Sequence, residues 1–340
     1  MIKKEDVFVN EKHWRNMSDK ELSEFADKIF QYYRQTGFPY YNLTPKERDK
    51  EFKKLINFDI SNICEDGIIK QSMHGLGLAW HYFPHSFDVK SNDRLTPYEA
   101  FSDDEIFMKV IRKRLKIGTY ISDSGIRKML KVYTGVQGVS NFRPTAAAYI
   151  YQKYATYGVV WDMSGGWGGR LLGAIKAGVD TYIATEPSIK TYDGLCELAN
   201  EYANGRIRYH IANCGSEVFS PIKNSLDLCF TSPPYFDLEL YADEPSQSFI
   251  KYKTKSEWVN EFLRQTFINC YFGLKPEKHM IINIADAKGK NNLNLEVETI
   301  KVAEEVGFKH VDTLKLALSN VNMRDKSEKY KYEPIFVFQK

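Results

Sequence analysis

Cysteine is scarce in this chain, and none of it sits where a metal site or a disulfide framework would need it. Cys64, Cys196, Cys214, Cys229 and Cys270 are five among 340 residues. The number is odd, and no CxxC pair or Cys/His cluster has metal-ligand spacing, so no metal is expected. Cys214 and Cys229 lie in apolar, strand-like contexts and read as reduced core thiols. The start, Met1-Ile2-Lys3-Lys4-Glu5-Asp6, is polar with no apolar run behind it. No signal peptide or membrane span is therefore expected, and the chain reads as cytoplasmic with no membrane partner. Internal repeats and low-complexity tracts are also missing. Charge of one sign is in short supply, with a net value of only +3. Non-specific nucleic-acid binders are usually more basic, so contact with a polyanion would have to come from a local stripe. One stretch qualifies. Lys109, Arg112, Lys113, Arg114, Lys116, Arg127, Lys128 and Lys131 are interrupted by a single acid, Asp123. Such a run is either a solvated helix face or a nucleic-acid surface.

Aromatics, by contrast, are plentiful at 14%. Most belong to a core, and a minority could stack on bases. Two regions differ in texture. Residues 1–138 are mostly helical in pattern. Ser18 to Tyr33 carries a Ser18/Glu21 capping box with Leu22, Phe25, Ile29 and Tyr32 at helical spacing. Thr44-Pro45-Lys46-Glu47 opens a second helix. Asp103 to Leu115 and Ser122 to Tyr133 are two more. Gly75 to His85, rich in Gly, Pro and aromatics, reads as irregular. Residues 139–340 alternate short apolar strands with helices, which predicts an α/β fold built from βαβ units around a parallel sheet. The strands fall at Val159–Trp161, Thr181–Ala184, Tyr209–Ala212, Leu226–Phe230, His279–Ile284, Val311–Leu318 and Pro334–Phe338. The last two have no helix between them, so an antiparallel closing hairpin is expected.

The strand ends carry the chemistry. Asp162-Met163-Ser164-Gly165-Gly166-Trp167-Gly168-Gly169 follows the first strand of this region, where a Gly-rich turn lets a ligand approach backbone N–H groups at a helix N-terminus. NAD, a nucleotide, S-adenosylmethionine or a mere tight turn all satisfy it. Glu186 ends the next strand, roughly 20 residues beyond the glycines, the spacing of an acid that binds ribose hydroxyls. Asn213 ends the third, where its side-chain carbonyl could accept from an adenine amino group. Thr231-Ser232-Pro233-Pro234-Tyr235 ends the fourth. Two prolines cannot continue a sheet, so the backbone turns rigidly at the carboxyl edge. Ser232 and the rigid carbonyls can accept from an NH2 group while Tyr235 stacks on a planar ring, as contacts to an extruded base require. A hydride-transfer enzyme needs no such loop.

In this ordered set the chain resembles the S-adenosylmethionine-dependent DNA amino-methyltransferases, the family with a [DNS]-P-P-[YFW] catalytic loop, in its Thr-Ser-Pro-Pro-Tyr form. The match runs from about Asn141 to Lys340. Leu274-Lys275-Pro276 resembles the family's approach to strand five, and Asn141-Phe142-Arg143-Pro144-Thr145 its segment at the methionine end of the cofactor. The resemblance implies a Rossmann-like seven-stranded methyltransferase sheet. It implies a cofactor held by Asp162, Ser164, Gly165, Gly166, Gly168, Glu186, Asn213, Thr231, Arg143 and Thr145. Catalysis is assigned to Ser232, Pro233, Pro234 and Tyr235. Asn213 departs from the Asp often found at its position.

The implied reaction is direct transfer of a methyl group to the exocyclic amine of a flipped base. N4 of cytosine is favoured by Ser232, with N6 of adenine next, then an RNA base, a protein glutamine, or a non-catalytic nucleic-acid-binding subunit. No cysteine follows a proline, which argues against C5 chemistry. About 60 residues separate the two loops, too few for an inserted recognition domain. Recognition therefore falls to residues 1–138, through Arg112, Lys113, Arg114, Lys116, Arg127 and Lys128 and the Gly75–His85 segment. The expected partners are DNA, with RNA as alternative, and a cognate restriction or defence component.

Overall fold

The computed structural model describes residues 1–91, 93–133, 135–286, 294–318 and 331–340. The chain forms two compact units, one made of Met1–Asn42 and Pro84–Val139, the other of Leu43–Phe83 and Ser140–Lys340. A single boundary near residue 138 therefore does not describe the protein. Residues 43–83, expected with the N-terminal region, belong to the unit that holds the large sheet.

The first unit is helical. Ser18 caps the helix Asp19–Thr36 and Glu21 completes the capping box. Asp103 and Ser122 cap the helices Asp104–Ile117 and Asp123–Val132. Each helix buries one apolar stripe, and Ile29, Phe107, Val110, Ile111, Ile126 and Leu130 are inaccessible to solvent. The Tyr33 ring meets Phe101 and Phe107 edge-on. Aromatic pairs of this geometry add about 0.5–1.5 kcal/mol each beyond their buried area.

The second unit is built on a doubly wound, Rossmann-like sheet. Its seven main strands are β1 (Val159–Asp162), β2 (Thr181–Thr185), β3 (Arg208–Ala212), β4 (Leu226–Thr231), β5 (Leu274–Asn283), β6 (Lys309–Ala317) and β7 (Tyr332–Gln339). Their order is β3-β2-β1-β4-β5-β7-β6. The pairings from β3 through β5 are parallel. β7 is antiparallel to both β5 and β6, so the closing hairpin forms as the missing helix implied. The sheet is wider than seven strands, because a tiny hairpin, Cys64–Glu65 and Ile68–Ile69, adds beside β6. Two-residue strands give almost no periodicity, which is why the sequence pattern does not show them.

The central strands β1 and β4 are buried along nearly all of their length, as strands covered by helices on both faces are. Trp161, Phe230, Trp258, Phe267 and Phe338 are almost wholly buried. Gly75 to His85 is more ordered than its composition suggests, with a helix at Leu76–His81 and a 3-10 turn starting at Pro84. Strand order reverses at β1, between β2 and β4, and the crevice outside the carboxyl ends of these strands is where ligands bind in this architecture. No helix among the described residues is long and apolar enough to cross a membrane.

Candidate active site

The turn after β1 is held in one shape by packing from below. Gly168 takes a left-handed conformation (φ 71°) and begins the helix Gly169–Ala177. A Cβ on Gly169 would lie 2.0 Å from the Phe142 carbonyl oxygen, so only glycine fits. A Cβ on Gly168 would press on Leu198 and Phe83. Trp80 and Phe83 pack beside Trp167, with ring centroids 6.2 and 5.9 Å away. The aromatics of the Gly75–His85 segment through Phe83 thus support the glycine turn. Asn141 donates to the Trp167 carbonyl at 2.8 Å.

β2 fixes the turn from the side. Gly165 N–H donates to the Thr185 carbonyl and the Thr185 hydroxyl to the Met163 carbonyl. Glu186 accepts from the Gly166 and Ser188 N–H groups, each at 3.0 Å. Burial pushes its carboxyl up to about 7, against the lowering effect of those two N–H donors. Asn213 donates through Nδ2 to the Glu186 and Pro187 carbonyls. Its Oδ1 is thereby turned away from them, in the orientation that accepting from an amino group requires.

Asp162 does something other than contact a ligand. It is 0% exposed and accepts from Arg170 Nε (2.8 Å), Tyr182 Oη (2.8 Å) and Thr231 Oγ1 (2.9 Å). Arg170 also donates to the Ser164 carbonyl. Asp162 and Thr231 are thus interior ties between the tips of β1, β2 and β4, and the expected contacts of both with a cofactor are corrected. Thr145 is fully buried on the helix Pro144–Tyr154, with no hydrogen-bond partner for its hydroxyl among the described residues. Arg143 caps that helix and donates to Gln71 at 3.1 Å.

The tie between Thr231 and Asp162 sets the Ser232–Tyr235 loop next to the glycine turn. Tyr235 is half-buried. Its hydroxyl is hydrogen-bonded to the Ser232 side chain and accepts from the Ala285 N–H, while burial and the charge of Glu333 push the phenol up. The chain then reverses at Phe236, a buried residue with positive φ (55°). The segment beyond it folds back toward β2. Glu244 accepts from the Ile189 N–H at 3.1 Å, and Ser246 donates to the Pro187 carbonyl at 3.2 Å.

Several partnerships at this edge escape sequence reasoning. Tyr241 packs beside Trp167 at 6.1 Å and donates to Glu239. Glu333, just inside β7, is bonded to Asn283 at the end of β5. Burial pushes both Glu239 and Glu333 up, and each raises the Tyr235 phenol further. The only signal in the sequence was an acid inside each of two otherwise aromatic segments. Among the described residues no group of three His, Cys, Asp or Glu is placed to hold a metal ion.

The basic stripe lies in the first unit and is not uniform. Arg112, Lys113, Lys116 and Lys128 are exposed. Arg127 is not: it is 8% exposed, lies 3.7 Å over the Tyr41 ring and donates to the Pro39 carbonyl at 2.7 Å. Arg114 folds back on the Tyr120 carbonyl through Nε at 3.0 Å. Arg127 is thus occupied within the unit, which corrects the expectation that it faces nucleic acid, whereas Arg114 stays half-buried.

No protein-family model matches the chain, and no curated protein matches it in sequence. Solved structures do resemble it. An S-adenosylmethionine-dependent O-methyltransferase of Thermotoga maritima is 15% identical, covering 59% of this chain and 66% of its own, with a TM-score of 0.40. A 1,6-didemethyltoxoflavin-N1-methyltransferase of Burkholderia thailandensis, with its substrate and S-adenosylhomocysteine bound, is 12% identical over 57% and 76%, with a TM-score of 0.38. A TehB-like S-adenosylmethionine-dependent methyltransferase of Corynebacterium glutamicum is 14% identical over 59% and 89%, with a TM-score of 0.38. Identities and TM-scores this low decide nothing about this chain's substrate, and its architecture rests on the strand order given above.

Proposed function

We propose that the protein is an S-adenosylmethionine-dependent DNA methyltransferase that modifies the exocyclic amine of a flipped base, with N4 of cytosine as target. The observation that carries this reading is the Thr231–Asp162 hydrogen bond of 2.9 Å. It joins the root of the Ser-Pro-Pro-Tyr loop to the root of the glycine turn, so that donor and acceptor sites would share one crevice. The residues present suit the cofactor. Glu186 has two carboxylate oxygens for ribose hydroxyls, Asn213 Oδ1 suits an adenine amino group, and the N-terminus of Gly169–Ala177 suits its polar end.

S-adenosylmethionine, when bound, supplies a methyl group on a cationic sulfur. The chain's own residues would do the rest. An aromatic amine is a poor nucleophile because its lone pair is delocalised into the ring. Hydrogen bonds from the NH2 group to Ser232 and the Pro233 carbonyl would favour a pyramidal nitrogen, with Tyr235 against the ring face. Fixed orientation of the reactants would account for much of the rate. Ser232 need not act as a base, since the cationic product can release its proton to water. Nucleic-acid contact would be supplied by Arg112, Lys113, Lys116 and Lys128.

The test is incubation with methyl-labelled cofactor and mixed-sequence DNA or RNA, followed by nucleoside analysis. Labelled N4-methylcytosine in DNA is the expected result. Labelled N6-methyladenine would move the target to adenine, and label confined to RNA would sink the DNA reading. Ser232→Ala and Tyr235→Ala should each keep cofactor binding and lose transfer; activity surviving both would remove the loop from the chemistry.

A further inference from the structure

Access to the ribose acid is narrow. Glu186 is only 8% exposed. It sits between two neighbours, accepting from the Gly166 N–H on the glycine turn and from the Ser188 N–H beyond the tip of β2. A segment anchored on both of these neighbours therefore runs past Glu186 itself.

Residues 241–246 make that span. The Tyr241 ring lies 6.1 Å from that of Trp167, the residue after Gly166. At the other end, Glu244 accepts from the Ile189 N–H through both carboxylate oxygens, at 3.1 and 3.3 Å, and from the Ser188 hydroxyl at 3.5 Å. Ser246 donates to the Pro187 carbonyl at 3.2 Å, the same oxygen that accepts from Asn213 Nδ2. Three residues of fully extended chain reach at most roughly 11 Å, so the stretch from Tyr241 to Glu244 has little slack for a detour.

The far anchor is built to hold and to release. Helix Ile189–Tyr202 lacks a cap of its own: the Ser188 side chain makes no capping hydrogen bond among the described residues, and the first turn carries no acid. Glu244 supplies both from 55 residues away, at a helix end where free N–H groups and the helix dipole favour a carboxylate. Ile189 and Ser246 are exposed, so water can take over these bonds at small cost when the segment lifts.

We propose that Tyr241–Ser246 is a strap across the cofactor's ribose, latched by Glu244 to the start of helix Ile189–Tyr202, and that it must lift for S-adenosylmethionine to enter and S-adenosylhomocysteine to leave. The assignment rests on the cofactor part of the reading above and on no particular target base. Glu244 acts on the strap, not on the ligand, and is a positioning residue. Breaking the latch favours the lifted form equally whether the site is empty or filled. Entry and exit then quicken together, and affinity barely changes.

The experiment follows binding of labelled S-adenosylhomocysteine to the full chain and its displacement by excess unlabelled compound. It gives kon and koff for the unaltered protein, Glu244→Ala and Glu244→Gln, with thermal melting alongside. Glu244→Ala should raise both rates about fivefold, the worth of one helix cap, with Kd within about twofold. Glu244→Gln, which keeps an acceptor oxygen and loses the charge, should raise both roughly twofold. A destabilised site would bind more slowly, so faster association is a readout that mere loss of helix stability does not give. Rates unmoved in Glu244→Ala, or a faster koff with kon unchanged, would overturn the strap while leaving the cofactor reading standing. No binding of S-adenosylhomocysteine by the unaltered protein would overturn both.

Discussion

Removing the Asp162 carboxylate separates an interior tie from a ligand contact. Asp162→Ala deletes the partner of Arg170, whose guanidinium is 6% exposed and would keep only the Ser164 carbonyl. It also leaves the Tyr182 and Thr231 hydroxyls, both at 1% exposure or less, without their acceptor. Breaking a buried ion pair by deleting one member costs about 3–5 kcal/mol. Orphaning the two hydroxyls adds to this, each by about 1 kcal/mol at the low end for an unsatisfied buried group. The sum is on the order of 5 kcal/mol. For a unit of this size each kcal/mol moves the melting temperature by roughly 2–4 °C, so a fall of roughly 10–20 °C is expected, followed by circular dichroism. Arg170→Met in the same background removes the unpaired charge and should restore about half of the loss. In Asp162→Asn, assayed below its melting point, S-adenosylhomocysteine affinity should stay within about threefold, because the side chain does not reach the crevice. A melting shift under about 3 °C in Asp162→Ala, or no recovery with Arg170→Met, would refute the interior-tie reasoning.

Further outcomes follow from the same geometry. Gly169→Ala should unfold or badly destabilise the unit in thermal melts, because its Cβ would sit 2.0 Å from a main-chain oxygen with no flexible atom to yield. Glu186 has a folded-state carboxyl raised to about 7. Its contribution to stability is thus complete below the ordinary glutamate range and is lost as pH rises through about 7. Cofactor affinity should run the other way, tightening as the carboxylate ionises and can accept two ribose hydroxyls, and calorimetry on Glu186→Gln should show this pH dependence gone. In the first unit, neutralising Arg112, Lys113, Lys116 and Lys128 should lower the salt slope of DNA binding by roughly 0.9 for each phosphate no longer neutralised, without moving the melting point. Arg127→Ala should instead lower the melting point by removing its stacking on Tyr41 and its hydrogen bond to Pro39.

The local chemistry was legible because it is short-range. Ser18 with Glu21 specifies a helix start, Gly178 (φ 69°) a helix stop, and Pro233-Pro234 the end of a strand, each through the backbone of a few neighbouring residues. Strand alternation pointed to the sheet, and the absence of a helix before β7 to its antiparallel closure. Partnership was not legible, since it depends on which strand tips meet. Asp162 looked like a ligand contact from its place after a strand, but the β1–β4 adjacency hands its oxygens to Arg170, Tyr182 and Thr231. Arg127 looked like one more surface cation until helix packing laid it on Tyr41. Leu43–Phe83 looked N-terminal by sequence position and became part of the sheet unit, because Trp80 and Phe83 bury their apolar surface beside Trp167. Glu239 and Glu333 stand almost a hundred residues apart in sequence, and only the strand order brings both to Tyr235. Residue order alone dictates which elements form and which residue types stand at their ends. Packing then selects which of those residues face the crevice and which are used up inside, because burial and hydrogen-bond saturation depend on neighbours that chain position does not name.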